Sequence, residues 1–259
     1  MLRIIESYRI VLGEIIGTFI LVLIGTGSVA VAVLFQSLNL YQIAGVWAVA
    51  VTFGIYASKN LSNAHLNPAV SIGFLVRKEL TFKNFITYII GQFIGGIFAS
   101  FTVYLVFSSH ILEFEQTHSI IRGTESSKIT AMMFGEFYPN PGNIKLQSLS
   151  TNSAFVLEAV GTFVLMLIIL LLTNSKKNRN KIIPSLIGLT VGVLIVFIAP
   201  YTQAGFNPAR DFSPRLVSFF MGWGNIVFNL PQMGWLTVYI IAPSIGAALA
   251  ACLHKKYLS

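Results

Sequence analysis

Two asparagines in this chain stand immediately before proline and alanine. Asn67, Pro68 and Ala69 lie in "SNAHLNPAVS"; Asn207, Pro208 and Ala209 recur 140 residues later in "GFNPARDFSPRL". Asparagine is a strong helix N-cap, and proline suits the first helical position because its missing N–H would be unpaired there anyway. Each tripeptide therefore predicts the start of a helix, with a side-chain amide beside the helix's positive end. Such an amide can donate to the oxygen of a passing hydroxyl or water. The helix end itself carries about half a positive charge and repels cations. Behind Pro68 follows "AVSIGFLV" and behind Pro208 "ARDFSPRLVSFF", each apolar enough for membrane depth but too short to cross it. A single Asn-Pro-Ala reads as an ordinary turn, whereas two copies at matching places in a repeat argue for a pair of helix ends facing each other.

The other chemistry-bearing residues are sparse. Glu14 in "GEIIGTF" and Glu158 in "LEAVGTF" are the acidic residues of the long apolar runs, where an ionised carboxylate costs about 2.5 kcal/mol or more. They could relay protons, as in a coupled transporter, or accept hydrogen bonds from the N–H groups of irregular loops. Their paired placement favours the second role. The four histidines are scattered and Cys252 is the sole cysteine. No metal-ligand cluster, nucleophile–base pair or phosphate loop is present, so neither an enzyme nor a cofactor is expected. The net charge of +8 would suggest a nucleic-acid partner in a soluble chain. Here the distribution of basic residues about the membrane explains it better.

The elements that must position these residues follow from composition. Of 259 residues 55% are hydrophobic and only 10% charged, against about 25% charged in a soluble domain, and the mean hydropathy is +0.76. Apolar runs at Val11–Phe35, Ile43–Ala57, Phe85–Phe107, Ala154–Leu172, Ile182–Pro200 and Leu236–Cys252 approach or reach the ~20 residues of a spanning helix. The first run is too long for the apolar core of a cleavable signal, and it lacks a small-residue cleavage pattern. Twelve basic residues fall on one side of these spans: Arg3, Arg9, Lys59, Arg77, Lys78, Lys83, Lys176, Lys177, Arg179, Lys181, Lys255 and Lys256. Arg122, Lys128 and Lys145 fall on the other. The imbalance places both termini in the cytoplasm and makes the number of spans even.

The two halves share one order: a span with an early glutamate, a second span, an Asn-Pro-Ala segment and a third span. Three spans per half is odd, so the second half enters from the opposite face. The expected architecture is an all-α membrane protein, six transmembrane helices plus two half-helices in an inverted repeat, forming a single channel domain over 1–259. Repeat 1 covers 1–108, an extracellular connection 109–152, and repeat 2 covers 153–259. Inverted repeats of this kind place the functional site at the midplane, in broken helices. Non-helical backbone survives there only when buried in protein or lining a water-filled cavity. The connection is longer than structureless loops usually are, and "FGEFYPNPGN" suggests an ordered vestibule lining.

Those two segments resemble the signature loops of the major intrinsic proteins, the aquaporin and glycerol-facilitator family, and the resemblance covers nearly the whole chain. It implies the aquaporin fold, a homotetramer with one pore per subunit, and passive conduction of neutral solutes. It implies a constriction at Trp47, Ile195, Ala204 and Arg210, with pore-lining backbone at Asn63, Ala64, His65, Gln203 and Gly205. Arg210 would donate to solute hydroxyls and repel cations. Water-selective members usually carry histidine at the Ile195 position, so an indole, an isoleucine and an alanine facing one arginine favour polyols. Asp211 and Arg215 resemble the glycerol-conducting branch, Asp211 also being a local partner for Arg215 or backbone N–H groups. Ala204 departs from that branch, which has an aromatic residue there, and the Trp–Ile–Ala–Arg set is similar to the plant nodulin-type channels for ammonia and metalloid acids. Asn63 replaces the usual glycine and is expected to tolerate a left-handed backbone. His65 is expected to offer its carbonyl to the pore. The expected function is a glycerol and small-solute channel of a microbial plasma membrane, water being a lesser cargo. The alternatives are a water-selective channel, a nodulin-type channel and a proton- or sodium-coupled transporter.

Overall fold

A computed structural model describes residues 2–173 and 181–258, with side chains from residue 5. Lys176, Lys177 and Arg179 of the basic count lie outside those residues, as does the side chain of Arg3. The helices in chain order are α1 (Leu2–Phe35), α2 (Leu40–Ser58), α3 (Pro68–Val76), α4 (Phe82–Thr117), α5 (Lys128–Ala131), α6 (Thr151–Thr173), α7 (Ile183–Thr202), α8 (Pro208–Ser218), α9 (Ile226–Asn229), α10 (Gly234–Leu236) and α11 (Ala242–Tyr257). A π-helical turn at Thr237–Ile241 joins α10 to α11, so Gly234–Tyr257 is one span. Among the described residues six helices are long and apolar enough to cross a membrane, and none of those residues is in a strand.

Local signals set the boundaries. Asn39 and Gln42 form a reciprocal capping box at the start of α2, and the Thr81 hydroxyl accepts from the Asn84 N–H at the start of α4. α3 and α8, of 9 and 11 residues, are only ~14 and ~17 Å long at 1.5 Å per residue. Each reaches about halfway through a ~30 Å hydrocarbon core. One boundary differs from the sequence-based expectation. α4 continues ten residues past Phe107, so the start of the expected connection is helical and the repeat boundary at 108 falls inside a helix. Ser108–Thr117 contains neither glycine nor proline. Its Ile111 is fully buried, and its Glu115 pairs with Arg122 at 2.7 Å and accepts from Thr130 at 2.8 Å.

Packing repeats across the two halves. α1 lies on α4 as α6 lies on α11, and α1 lies on α2 as α6 lies on α7. Each half-helix rests against the last span of the other half, α3 on α11 and α8 on α4, while α2 and α7 meet between the halves. This is the inverted repeat. In a membrane helices gain little by hiding apolar surface from one another, so close backbone approach across small residues does the work. A Cβ on Gly95 would stand 2.5 Å from the Ile15 carbonyl oxygen, and one on Gly246 would stand 2.1 Å from that of Ala159. Ile15 and Ala159 each directly follow one of the buried glutamates, so each glutamate is fixed where its helix is clasped most closely.

Gly246→Leu must push α11 from α6, an overpacking that costs about 1–3 kcal/mol or more. Its detergent-solubilised Tm is expected to fall clearly, whereas Gly27→Ala, whose added methyl meets open space, should leave Tm unchanged or slightly higher. Equal Tm for Gly246→Leu and the unsubstituted protein would show that the two helices are not clasped there.

Candidate functional site: a cavity between two helix ends

Asn67 and Asn207 are N-caps in extended conformation, each followed by proline at the first helical position. The Asn67 Oδ1 accepts from the Ala69 N–H at 2.8 Å; the Asn207 Oδ1 accepts from those of Ala209 and Arg210 at 3.0 and 3.2 Å. The amide nitrogens do something that spacing alone did not reveal. Asn67 Nδ2 donates to the Phe206 carbonyl at 2.9 Å and Asn207 Nδ2 to the Leu66 carbonyl at 2.7 Å. Each asparagine thus caps its own half-helix and ties down the loop of the other half. An amide nitrogen carries two hydrogens, so one of each pair remains for the cavity that both asparagines line.

The loops that deliver the chain to these caps are strained in the same way. Ala64 and Leu66 have φ of +52° and +53°, and Ala204 and Phe206 have +63° and +51°, a region unfavourable for residues with a Cβ. Asn63 is not the left-handed residue; Ala64 is, and in the second loop Gln203 is left-handed as well, at +65°. Asn63 instead uses its N–H, which donates to the Tyr88 hydroxyl at 3.1 Å. Turned left-handed, the backbone aims successive N–H groups at one point. At that point in the first loop sits Glu14, accepting from the N–H groups of His65 at 3.0 Å and Leu66 at 2.7 Å, from Ser62 Oγ at 2.6 Å and from Gln92 Nε2 at 2.8 Å. In the second sits Glu158, accepting from the N–H groups of Gly205 at 2.9 Å and Phe206 at 2.8 Å, and from Thr202 Oγ1 at 2.5 Å. Ser62 and Thr202 each stand five residues before a box asparagine. That shared offset is a usable sequence signal for the loop hydroxyls, one the motif spacing above did not include; Gln92 carries none.

A cavity of about 550 Å³ runs past both boxes. Trp47, Ile195, Ala204 and Arg210 all line it, as do Asn63, Ala64, His65 and Gly205, and its other mouth is marked by Lys59 and Lys181. The 12 helical steps along α2 from Trp47 to its C-cap Lys59 set a length of roughly 18 Å. Its wall is mostly aliphatic, and the donors Asn67, Asn207 and Arg210 are gathered on α3 and α8. The Trp47 ring lies 4.3 Å from the Arg210 guanidinium carbon, and it fits because α1 offers Gly25, where a Cβ would meet the indole at 2.4 Å. The His65 ring is stacked between Phe74 and Tyr88 at 4.6 and 4.2 Å, with Nδ1 3.1 Å from Ser71 Oγ. Gln203 departs from the expected set. It does not line this cavity; its side chain accepts from the Phe137 N–H at 2.8 Å and donates to the Met132 carbonyl at 3.2 Å.

Arg210 is buried, 6% exposed, which excludes a membrane-interface snorkelling role. Its charge partner is a residue that no sequence motif singled out, Glu136 of the connection, 2% exposed. Asp211 pairs with Arg215 through two bonds, at 2.6 and 3.0 Å, and accepts from the Glu136 N–H at 2.6 Å. Arg215 also donates to the carbonyls of Glu136 and Val227. Phe134–Tyr138 is buried, and Asn140 and Asn143 tie the connection to the carbonyls of Ala199 and Pro200 at 2.7 and 2.9 Å. The connection therefore clamps the end of α7 and does not line the cavity. Among the described residues no group of three histidine, cysteine, aspartate or glutamate side chains could hold a metal ion.

The chain that builds this arrangement is similar to known proteins. The glycerol uptake facilitator of Pseudomonas aeruginosa is 38% identical over 244 residues, covering 93% of this chain and 85% of that protein. The glycerol uptake facilitator of Haemophilus influenzae is 36% identical, covering 95% and 92%. Among solved structures, the aquaglyceroporin from Plasmodium falciparum superposes with a TM-score of 0.83 at 26% identity, covering 97% of each chain. The family model described as major intrinsic protein matches residues 1–254, and the chain belongs to that family.

Proposed function

We propose that this multi-pass membrane protein is a passive channel for glycerol and similar small uncharged solutes, with water as a lesser cargo, and that it has no catalytic step. The observation that carries the reading is the mixed lining of the cavity: a mostly apolar wall that includes Trp47 and Ile195, interrupted by the donors Asn67, Asn207 and Arg210. A polyol shows carbon to one side and hydroxyl to the other, and that pairing suits it. The relatives named as glycerol uptake facilitators and as an aquaglyceroporin support the same solute class. Cations meet the positive ends of α3 and α8 at the cavity's middle and are turned back. Both termini lie in the cytoplasm of the plasma membrane, by the charge imbalance of the loops, and four subunits assemble, each with its own pore. Large outward side chains such as Phe98 and Phe197, 59% and 70% exposed, supply the apolar surface that lipid or a neighbouring subunit would cover.

Within this reading Glu14 and Glu158 brace the loops and move no protons. In proteoliposomes glycerol flux is expected to exceed that of empty vesicles and to be unchanged by a proton or sodium ionophore. Flux that collapses with the ionophore would put coupled transport in place of the channel. Ala204→Phe narrows the constriction, so glycerol permeability should fall about tenfold, the order that one steric change in a pocket commands, while water falls less. Equal losses for both would remove Ala204 from the filter. Glu158→Leu strips acceptors from the buried N–H groups of Gly205 and Phe206, at ~1–3 kcal/mol for each group left unpaired. That variant is expected not to yield folded protein, whereas Glu158→Gln, which keeps an acceptor oxygen, should fold with a lowered Tm and conduct. Folded, conducting Glu158→Leu would rule out the bracing role.

A further inference from the structure

The cavity lining holds Lys59, Lys181 and Arg210 and no aspartate or glutamate among the described residues. The two half-helices add their positive N-terminal ends at its centre. Such a field repels cations and, left alone, attracts anions. Beside Trp47 in that lining stands a buried guanidinium, Arg210, which in apolar surroundings is a strong anion site.

From the geometry around Glu136 we infer that this residue is the pore's counter-charge: it neutralises Arg210 from behind, so that the constriction keeps its N–H donors but offers small anions no resting place. The inference rests on the proposed channel reading. Four observations carry it. Glu136 Oε1 forms an ion pair with Arg210 Nη1, both side chains being buried. Glu136 is absent from the cavity wall, so it reaches Arg210 through the protein and leaves the solute face of the guanidinium open. Its other oxygen, Oε2, is buried and has no partner among the described residues, so Arg210 is what compensates this carboxylate. Finally, the neighbouring charges are already matched: Asp211 and Arg215 pair through two bonds, and Arg215 meets Glu136 only at its backbone carbonyl. The backbone of Glu136 is held on both sides, its N–H by Asp211 and its carbonyl by Arg215. Its place is therefore fixed by the fold and does not depend on the attraction to Arg210.

The test uses the full chain in proteoliposomes, with glycerol flux measured in sodium nitrate and in equal sodium gluconate, a small planar anion against a bulky one. The unsubstituted protein must first conduct glycerol; failure at that step sinks the channel reading itself and is distinct from any outcome of the nitrate comparison. Its flux is expected to be the same in both salts. Glu136→Gln is expected to conduct in gluconate and to slow reversibly in nitrate. An anion held with a Kd of about 50 mM and supplied at about 100 mM would occupy two-thirds of the pores, roughly a threefold loss. Glu136→Asp, which keeps the charge, should restore indifference to nitrate. The double variant Glu136→Gln with Arg210→Gln removes both charges and should fold and be indifferent to nitrate. That double variant serves if the single one does not fold, since its recovery reports that the lone buried Arg210 charge was the fault. Glu136→Gln flux that is no more nitrate-sensitive than the original, or a double variant that does not recover folding when the single one has lost it, overturns the proposal.

Discussion

Backbone that is neither helix nor sheet cannot lie in hydrocarbon unless every polar group finds a partner, since an unpaired N–H or C=O there costs several kcal/mol. The rest of this structure depends on how that constraint is met. In each half, left-handed residues turn consecutive N–H groups inward to a single carboxylate, Glu14 or Glu158, and the loop carbonyls at Leu66 and Phe206 are taken by the asparagine of the opposite half. Neither half can satisfy its own loop. The two loops, the two caps and the two glutamates therefore form one interlocked unit, and the helix ends meet at the centre because they are the fixed points of that unit.

The spans exist to hold that unit. The clasp of Gly95 against Ile15 and of Gly246 against Ala159 comes one residue after each glutamate. A shift of either helix pair would move the carboxylate away from its loop. Each third span also lends a tyrosine: the Tyr88 hydroxyl accepts from the Asn63 N–H, and the Tyr239 hydroxyl donates to the Thr202 carbonyl at 3.0 Å. Packing and polar satisfaction are thus set at the same positions, which is how a few close contacts can specify the geometry of a pore.

The fold is readable in the sequence because its signals are periodic and duplicated: six apolar runs, two Asn-Pro-Ala boxes, and two glutamates 53 and 49 residues before the box asparagines. Trp47, Ile195, Ala204 and Arg210 are named by resemblance to the family's pattern, and all four line one cavity. The features that sequence does not reveal have no duplicate. Glu136 lies in the connection, which belongs to neither repeat, and an acidic residue in a loop reads as solvated until its burial is seen. Gln203, expected to offer backbone to the pore, is absent from this cavity's lining, and its side chain serves the connection. The extension of α4 past Phe107 is hidden because its polar residues end the apolar run while helix propensity persists. Crossed hydrogen bonds between residues some 140 positions apart leave no local trace at all.

The two halves are alike at the centre and unlike outside it, and the difference follows one exchange. Four residues after Asn67 stands Ser71; four after Asn207 stands Asp211. Around Ser71 the chain builds a neutral network, in which Ser71 Oγ meets the His65 ring and Gln92. Around Asp211 it builds a charged one, and Asp211 is wholly buried with Arg215. A buried ion pair adds little stability by itself, because desolvation consumes most of the attraction. Its effect here is geometric. Asp211 and Arg215 grip the backbone of Glu136 from both sides and so pin the connection over the outer end of the pore. In the half with the neutral network, Lys59 and Lys181 line the cavity's other end. An inverted repeat thus yields two unlike surroundings for one cavity, and the difference traces to a carboxylate where the other half has a hydroxyl.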